Sequence, residues 1–379
     1  MSSLEHIIWY SSLFSMIIYF CKASSKIQGI KYFLFSTFIV LLYGFVEGHR
    51  YGRGADWLSY KERYEVIIDL LELQQPGYYY CMLILKYLGF DSIDMFIIYA
   101  MWFMLSIIFF IRSLFPLDVG KWMPLLSLYP MMMHMENLIK EFVALPFIFL
   151  FLLYVIKRKY ILSILFLFIG ISIHTGTIIL PVIFVISYYF NKYTLPLKSL
   201  IMIIVASFAL GNYIQSSGIV VALINKLFSL GFIVDERFQN YFAESERWFG
   251  SDSILDDSQK GVITTFFILV FQLSYVYTSQ LALTIKEDKV INTFFNVSLL
   301  GFAVSNLFSG FEIINRIFDQ LSFMWFIPAG YSFCVLSDYE YLCSNKILKY
   351  SLSFVFLFPF LKFAQFVFFY PNTDFVWNH

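Results

Sequence analysis

The chain has 379 residues, of which 60% are hydrophobic and only 14% charged, against about 25% charged in an ordinary soluble domain; its mean hydropathy is +0.73. With 47 Phe and 27 Tyr, that much apolar surface is excluded from a single water-soluble core. Basic and acidic side chains balance at 26 each, so no positive excess directs the chain to nucleic acid. In lipid every backbone polar group must be paired within the protein, which leaves helices or a closed barrel. A barrel strand alternates apolar and polar residues, whereas the apolar runs here are continuous. The expected class is all-α, a polytopic integral membrane protein.

The apolar runs fall at 6–21, 30–46, 77–90, 93–111, 122–135, 143–156, 160–174, 176–190, 199–213, 262–285, 291–309, 317–336 and 347–369. Ile7 to Phe20 reads as a retained first span, because no basic stretch precedes it and no small-residue cleavage site follows. No internal repeat or low-complexity linker divides the chain, so residues 1–379 read as one membrane domain. Two long hydrophilic loops interrupt it, 47–76 and 214–261. Cys21, Cys81, Cys334 and Cys343 are scattered without metal-ligand spacing, and no cofactor or metal is expected.

Orientation follows from Lys and Arg in the short loops. Lys22/Lys26/Lys31, Lys157-Arg158-Lys159, Lys192/Lys198 and Lys286/Lys289 all fall on the cytoplasmic side if the run 77–90 does not cross. That run is short and carries Lys86 in its middle, as a re-entrant or interfacial helix would. The other runs then make about 12 crossings, with both termini and the two long loops outside.

This topology gathers polar residues at one face. His49, Arg50, Arg53 and Asp56 sit in the first outside loop, His134, Lys140 and Glu141 flank a second turn, His174 marks a third, and Arg316 begins a fourth. Ionisable groups near membrane depth are expensive and often functional. Gly52 and Gly54 beside Arg50 and Arg53 permit close backbone approach, and two guanidiniums on such a turn suit a diphosphate through planar bidentate donors. Each residue also has a plainer reading. Asp56 can cap the following helix, Lys140 and Glu141 can pair with each other, and Arg316 can snorkel to headgroups. In the loop 214–261, the run Ile219 to Val234 can lie along the interface, and Glu244 and Trp248 offer a carboxylate and a ring suited to sugar.

The order Arg50-x-x-Arg53-Gly-x-Asp56-x-x-x-Tyr60, followed by Gln75-Pro-Gly-Tyr78, resembles the signature of EpsG-type membrane proteins, a branch of the Wzy-type polysaccharide polymerases. Gln75-Pro76 stands where that family carries an acidic residue. Leu138-Ile-Lys140-Glu141-Phe-Val-Ala144 resembles its Arg-Gln-x-x-Ala pattern, with Lys140 replacing arginine. Ile173-His174-Thr175-Gly176 is similar to its His-Ser element. Asn315-Arg316, ahead of Phe318 to Pro328, is similar to its late arginine.

The resemblance implies a GT-C-like glycosyltransferase that polymerises undecaprenyl-diphosphate-linked oligosaccharide repeat units into O-antigen, capsule or exopolysaccharide. The work would be done without a metal, at the outer face of a bacterial inner membrane, among membrane lipids and in company with a chain-length regulator. Arg50, Arg53, Arg316 and Lys140 are then expected to hold the diphosphate, with fixed cations stabilising the leaving group. His174 or Asp56 is the candidate base, and Tyr60, Glu141, Glu244 and Trp248 are candidate sugar contacts. A lipid-linked O-antigen ligase would use the same donor site, and only its acceptor distinguishes it. A transferase using polyprenyl-monophosphate sugars would show acidic residues early in the first outside loop, where Asp56 stands alone. A flippase would favour inverted repeats and polar residues at the bilayer midplane.

Overall fold

A computed structural model of the protein describes residues 4–51, 57–68, 75–190, 195–217, 226, 262–309, 312–337, 345–369 and 374–376. In chain order they form helices α1 (Leu4–Ser24), α2 (Ile30–Gly48), α3 (Trp57–Glu65), α4 (Pro76–Tyr87), α5 (Ser92–Leu114), α6 (Leu117–Gly120), α7 (Met123–Asn137), α8 (Ile139–Ile156) and α9 (Tyr160–Ile173). A 3-10 turn (Thr175–Ile178) leads into α10 (Ile179–Phe190), α11 (Leu197–Ser217), α12 (Val262–Ile285), α13 (Lys289–Leu307), α14 (Glu312–Phe323), α15 (Phe326–Ser337) and α16 (Lys346–Phe369). One antiparallel pair of two-residue strands, β1 (Arg50–Tyr51) and β2 (Asp374–Phe375), completes the described elements. Among the described residues, six helices are long and apolar enough to cross a membrane: α1, α2, α5, α8, α12 from Thr264 onward, and α13.

The chain divides into two compact units. The first comprises Met1–Val185, Ala329–Ser344 and Phe356–His379, and the second Ile186–Pro328 and Asn345–Val355.

Within the first unit, ring contacts fix the direction of each helix. Tyr10 reaches Glu47 and Phe20 meets Tyr32 and Phe35, so α1 and α2 are antiparallel. Helix α2 runs antiparallel to α5, because a side chain on Gly44 would strike Met101 and one on Gly48 would strike the Ile97 backbone. Those two glycines let the helices approach backbone to backbone, as small residues do in membrane interfaces. Helix α5 runs parallel to α8, with Phe103 stacked on Phe142 at 4.0 Å and Phe110 on Phe149 at 5.4 Å. Helix α9 turns back along α8 through Tyr154 and Phe166. The directions therefore collect His6, Glu47, the start of α5, Lys140, Glu141 and His174 at one end of this unit. Lys22, Lys31, Arg112 and Lys157-Arg158-Lys159 collect at the other, where the Arg112 guanidinium lies 5.8 Å from the Tyr32 ring centre.

Helix α4 belongs wholly to the His174 end. At its first turn, Gly77 abuts Ser172 and Ile173 at the end of α9. At its last turn, Lys86 lies over Tyr64 of α3, and Tyr64 donates to the Phe90 carbonyl at 2.9 Å, just before α5. Its 12 residues make a rod of about 18 Å, short of a hydrocarbon layer of about 30 Å. Gly89 ends the helix in a left-handed conformation (φ 85°), with Gly89 N–H bonded to Lys86 O and Phe90 N–H to Leu85 O. Asp91 then starts α5 in a reciprocal cap. Its carboxylate accepts from the Ile93 and Asp94 amides, and Asp94 accepts from the Asp91 amide.

The apolar run 317–336 is expected as one segment, but the structure breaks it between α14 and α15. Pro328 supplies the reason. Its ring would collide with the carbonyl of Met324, four residues back, in a continuous helix. The backbone tightens instead into i−3 bonds, Trp325 N–H to Ser322 O and Ile327 N–H to Met324 O.

In the second unit, α13 and α14 form an antiparallel hairpin, since Gly301 abuts Ser322 and Asn315 donates to the Phe308 carbonyl at 2.7 Å. Gln272 of α12 and Asn306 of α13 exchange two amide hydrogen bonds of 3.1 and 2.8 Å, and Asn306 also reaches Ser207 of α11 at 3.3 Å. Polar bonds between apolar helices contribute about 0.6–2 kcal/mol each and specify register. At the far end of α13, Asp288 caps the helix and Lys289 lies 4.2 Å from the Tyr188 ring centre.

The two ends of the first unit are expected on opposite sides of the membrane. With the four native cysteines replaced by alanine, an impermeant thiol reagent applied to intact spheroplasts should label Glu62→Cys in α3 and spare Lys159→Cys. Both should react once the membrane is opened.

Candidate functional site

At the His174 end of the first unit, two clusters of polar side chains are held by the ends of α1, α2, α4, α8 and α9. The first is built around Tyr10. Its hydroxyl donates to Glu47 Oε1 at 2.6 Å, and its ring faces the Arg50 guanidinium at 5.7 Å. Glu47 is fully buried and Arg50 is 2% exposed. Charges taken out of water need compensating contacts, and Tyr10 offers both kinds, a donor to the anion and a π face to the cation. The His6 ring packs at a tilt against Tyr10 and against Phe375.

The end of the chain seats Arg50. Arg50 pairs with Phe375 across the two-strand ladder, the Val376 amide donates to the His49 carbonyl at 2.8 Å, and Phe375 is fully buried. His49 itself donates from Nδ1 to the Phe45 carbonyl at 2.8 Å, which continues α2 to the edge of the strand.

The second cluster joins α4, α8 and the end of α9. Gln75 Nε2 stands 3.5 Å from His174 Nδ1 across 99 residues of sequence. Tyr78, one turn into α4, is fully buried. Its ring packs against Tyr60 of α3 at 5.8 Å and Tyr99 of α5 at 6.1 Å. Lys140 Nζ lies 5.4 Å from the centre of the same ring. Glu141, next on α8, is 2% exposed. Two glycines make this geometry possible. A side chain at Gly77 would strike the Ser172 and Ile173 backbone within 2.8 Å, so only glycine lets α4 bring Gln75 up to His174. A side chain at Gly176 would stand 2.9 Å from His174 Nε2, so glycine there makes room for the imidazole.

Helix α5 links the clusters. Phe96 stacks on Trp57, Ile97 meets Gly48 and Tyr99 meets Tyr78, all within its first two turns. Nearby, burial and the carboxylates of Asp91 and Asp94 push the Tyr64 hydroxyl up to about 12, so it stays protonated and keeps its bond to Phe90.

Of the residues singled out from sequence, Tyr60, Lys140, Glu141 and His174 therefore come together, and Arg50 lies at the same end of this unit. Arg316 is half-buried in α14 of the second unit. Arg53, Asp56, Glu244 and Trp248 lie outside the described residues, as does most of the loop 214–261. His6, Tyr10 and the Gln272–Asn306 pair were not anticipated. Hydropathy averaging hid them, although a polar residue within an apolar run is itself a signal.

Residues 32–376 match the family model described as the EpsG family. The chain belongs to the EpsG family. It thus joins a group of membrane proteins of the polysaccharide-polymerase type, and the match runs from the start of α2 to β2, taking in the second cluster and, of the first, Glu47, Arg50 and Phe375. Neither a curated protein nor a solved structure matches the chain.

Two predictions follow from the packing of this EpsG-family protein. Gly77→Ala should push α4 off α9 and separate Gln75 from His174, lowering product formation at least tenfold while the protein remains abundant in membranes by immunoblot. Phe375→Ala should cost about 3–5 kcal/mol at its site, as a fully buried Phe usually does. Its reading is faster protease cleavage near residues 50–56 in purified protein than in wild type.

Proposed function

We propose that this protein is a glycosyltransferase that joins lipid-diphosphate-linked oligosaccharide repeat units into a polysaccharide, with its chemistry at the His174 end on the outer face of a bacterial inner membrane. The carrier is undecaprenyl diphosphate, and the fold is a GT-C-like membrane domain with about 12 crossings. The observation that carries the reading is the family match together with the convergence of Gln75, Tyr78, Lys140 and His174 at one end of the helices.

In the proposed reaction, an acceptor sugar hydroxyl attacks the anomeric carbon of the donor. The new glycosidic C–O bond forms as the bond to the diphosphate oxygen breaks, and the lipid diphosphate leaves with that electron pair. The hydroxyl proton goes to a base, His174 or Asp56. Arg50, Arg53, Arg316 and Lys140 meet the diphosphate charge, a stabilisation that needs fixed cations rather than a reorganising solvent. Tyr60, Glu141, Glu244 and Trp248 contact sugar. The lipid tail enters from the bilayer, and a chain-length regulator limits the product.

The first test is the lipid-linked material that accumulates in a deletion strain. Single repeat units are expected. Unligated long polymer on the carrier would point instead to a ligase. Substitutions then test the roles. His174→Ala or Asp56→Asn should slow chain growth by about 10²–10⁴-fold with little change in donor binding. At Arg50, Arg53 and Arg316, Lys should fail nearly as badly as Ala, because the bidentate fork is lost while the charge survives. Wild-type polymer ladders from all three Lys variants, at matched protein abundance, would leave the arginines as headgroup anchors.

A further inference from the structure

We propose that Gln75 is a positioning residue for His174, and that its side-chain amide decides which imidazole nitrogen takes up the proton. This rests on the reading of His174 as the base. Three observations support it. Gln75 is buried at 6% exposure, so its amide is held rather than free to turn in solvent. Its amide nitrogen lies 3.5 Å from His174 Nδ1, at the long end of hydrogen bonding. Its Oε1 is buried without a hydrogen-bond partner.

The two ends of a glutamine amide have the same shape but opposite hydrogen-bonding character. If the NH2 group faces Nδ1, that nitrogen must accept. The neutral ring then carries its proton on Nε2 and has no lone pair to offer there. If the amide turns over, Oε1 accepts from Nδ1–H. The proton is fixed on Nδ1, the Nε2 lone pair is left for an incoming hydroxyl proton, and the oxygen takes over the contact that the NH2 group gives up. Only the second arrangement is compatible with a base acting through Nε2. The same logic governs a histidine oriented by a carboxylate, with one difference. A carboxylate stabilises the imidazolium, whereas an amide orients the ring without adding charge.

Charged groups stand on the helices packed beside this segment. From α4, His174 is approached by Gln75, and Tyr78 on the same helix carries Lys140 over its ring. From α8, Lys140 and the buried Glu141 stand at the helix start. On its own segment, Ser172 donates to Ile169 O and Thr177 donates to His174 O. Gln75 is thus set to orient the base without committing it to the charged state.

The experiment follows the His174 imidazole directly. The full chain, labelled with 13C/15N histidine and placed in lipid nanodiscs, is titrated by NMR, and the His174 signal is assigned from the His174→Gln variant. Gln75→Glu should raise the His174 midpoint by about 1–3 pH units, as an adjacent carboxylate does, and shift the low-pH limb of the polymerisation rate upward with it. Gln75→Met, which keeps the volume and removes the amide, should lower kcat about 10–100-fold with KM within about twofold. Coincident His174 titrations in wild type and Gln75→Glu would overturn the positioning role, whatever the activity. A shifted titration in a protein that makes no polymer from lipid-linked repeat units would uphold the pairing and overturn the proposed reaction.

Discussion

Charge is costly in hydrocarbon, and the arrangement of this protein follows from where that cost can be avoided. A charged side chain at the middle of a span costs at least about 2.5–3.5 kcal/mol. Lys22, Arg112 and Lys157-Arg158-Lys159 stand at one end of the first unit, and His6, Glu47, Arg50, Lys140, Glu141 and His174 at the other. That segregation suits the proposed substrate, a charged, sugar-bearing headgroup with a lipid tail. Once the helix directions are settled, residues from α1, α2, α4, α8 and α9 converge with no further device.

The convergence is then made exact by the absence of side chains rather than by their presence. Gly44 and Gly48 let α2 lie backbone to backbone on α5, and Gly77 does the same for α4 on α9. On the first turns of α5, Phe96, Ile97 and Tyr99 then have fixed neighbours in Trp57, Gly48 and Tyr78. Tyr10 and Tyr78 play parallel parts in the two clusters. Each presents a ring face to a cation, Arg50 in one case and Lys140 in the other. A cation so held is partly desolvated yet still directed, which suits the binding of an anion by fixed groups.

Much of this was legible in the sequence because hydropathy and loop charge are additive along a chain. The apolar runs 262–285 and 160–174 match α12 and α9 almost residue for residue. The short run at 77–90, with Lys86 in it, is indeed a 12-residue helix. What was not legible depends on contacts between distant residues or on stereochemistry that averaging removes. The run 317–336 conceals a break because Pro328 scores as merely apolar-compatible, while its ring vetoes a bond four residues earlier. The Gln272–Asn306 pair is invisible because two amides in long apolar runs barely change the mean. Gln75 reads as a departure from the family pattern until the fold sets it beside His174, 99 residues away.

The pairing of β1 with β2 has a consequence for how the protein is made. Arg50 leaves the ribosome long before Phe375 and Val376, the residues that pair with it and with His49. Contacts so far apart in sequence form after the local ones, because a long loop must close first. A chain still being translated therefore has its spans but not its seated arginine. Arg50 reaches its seat only once β2 has been made and has paired with β1. In effect, the seat of Arg50 stays unfinished until β2 has left the ribosome.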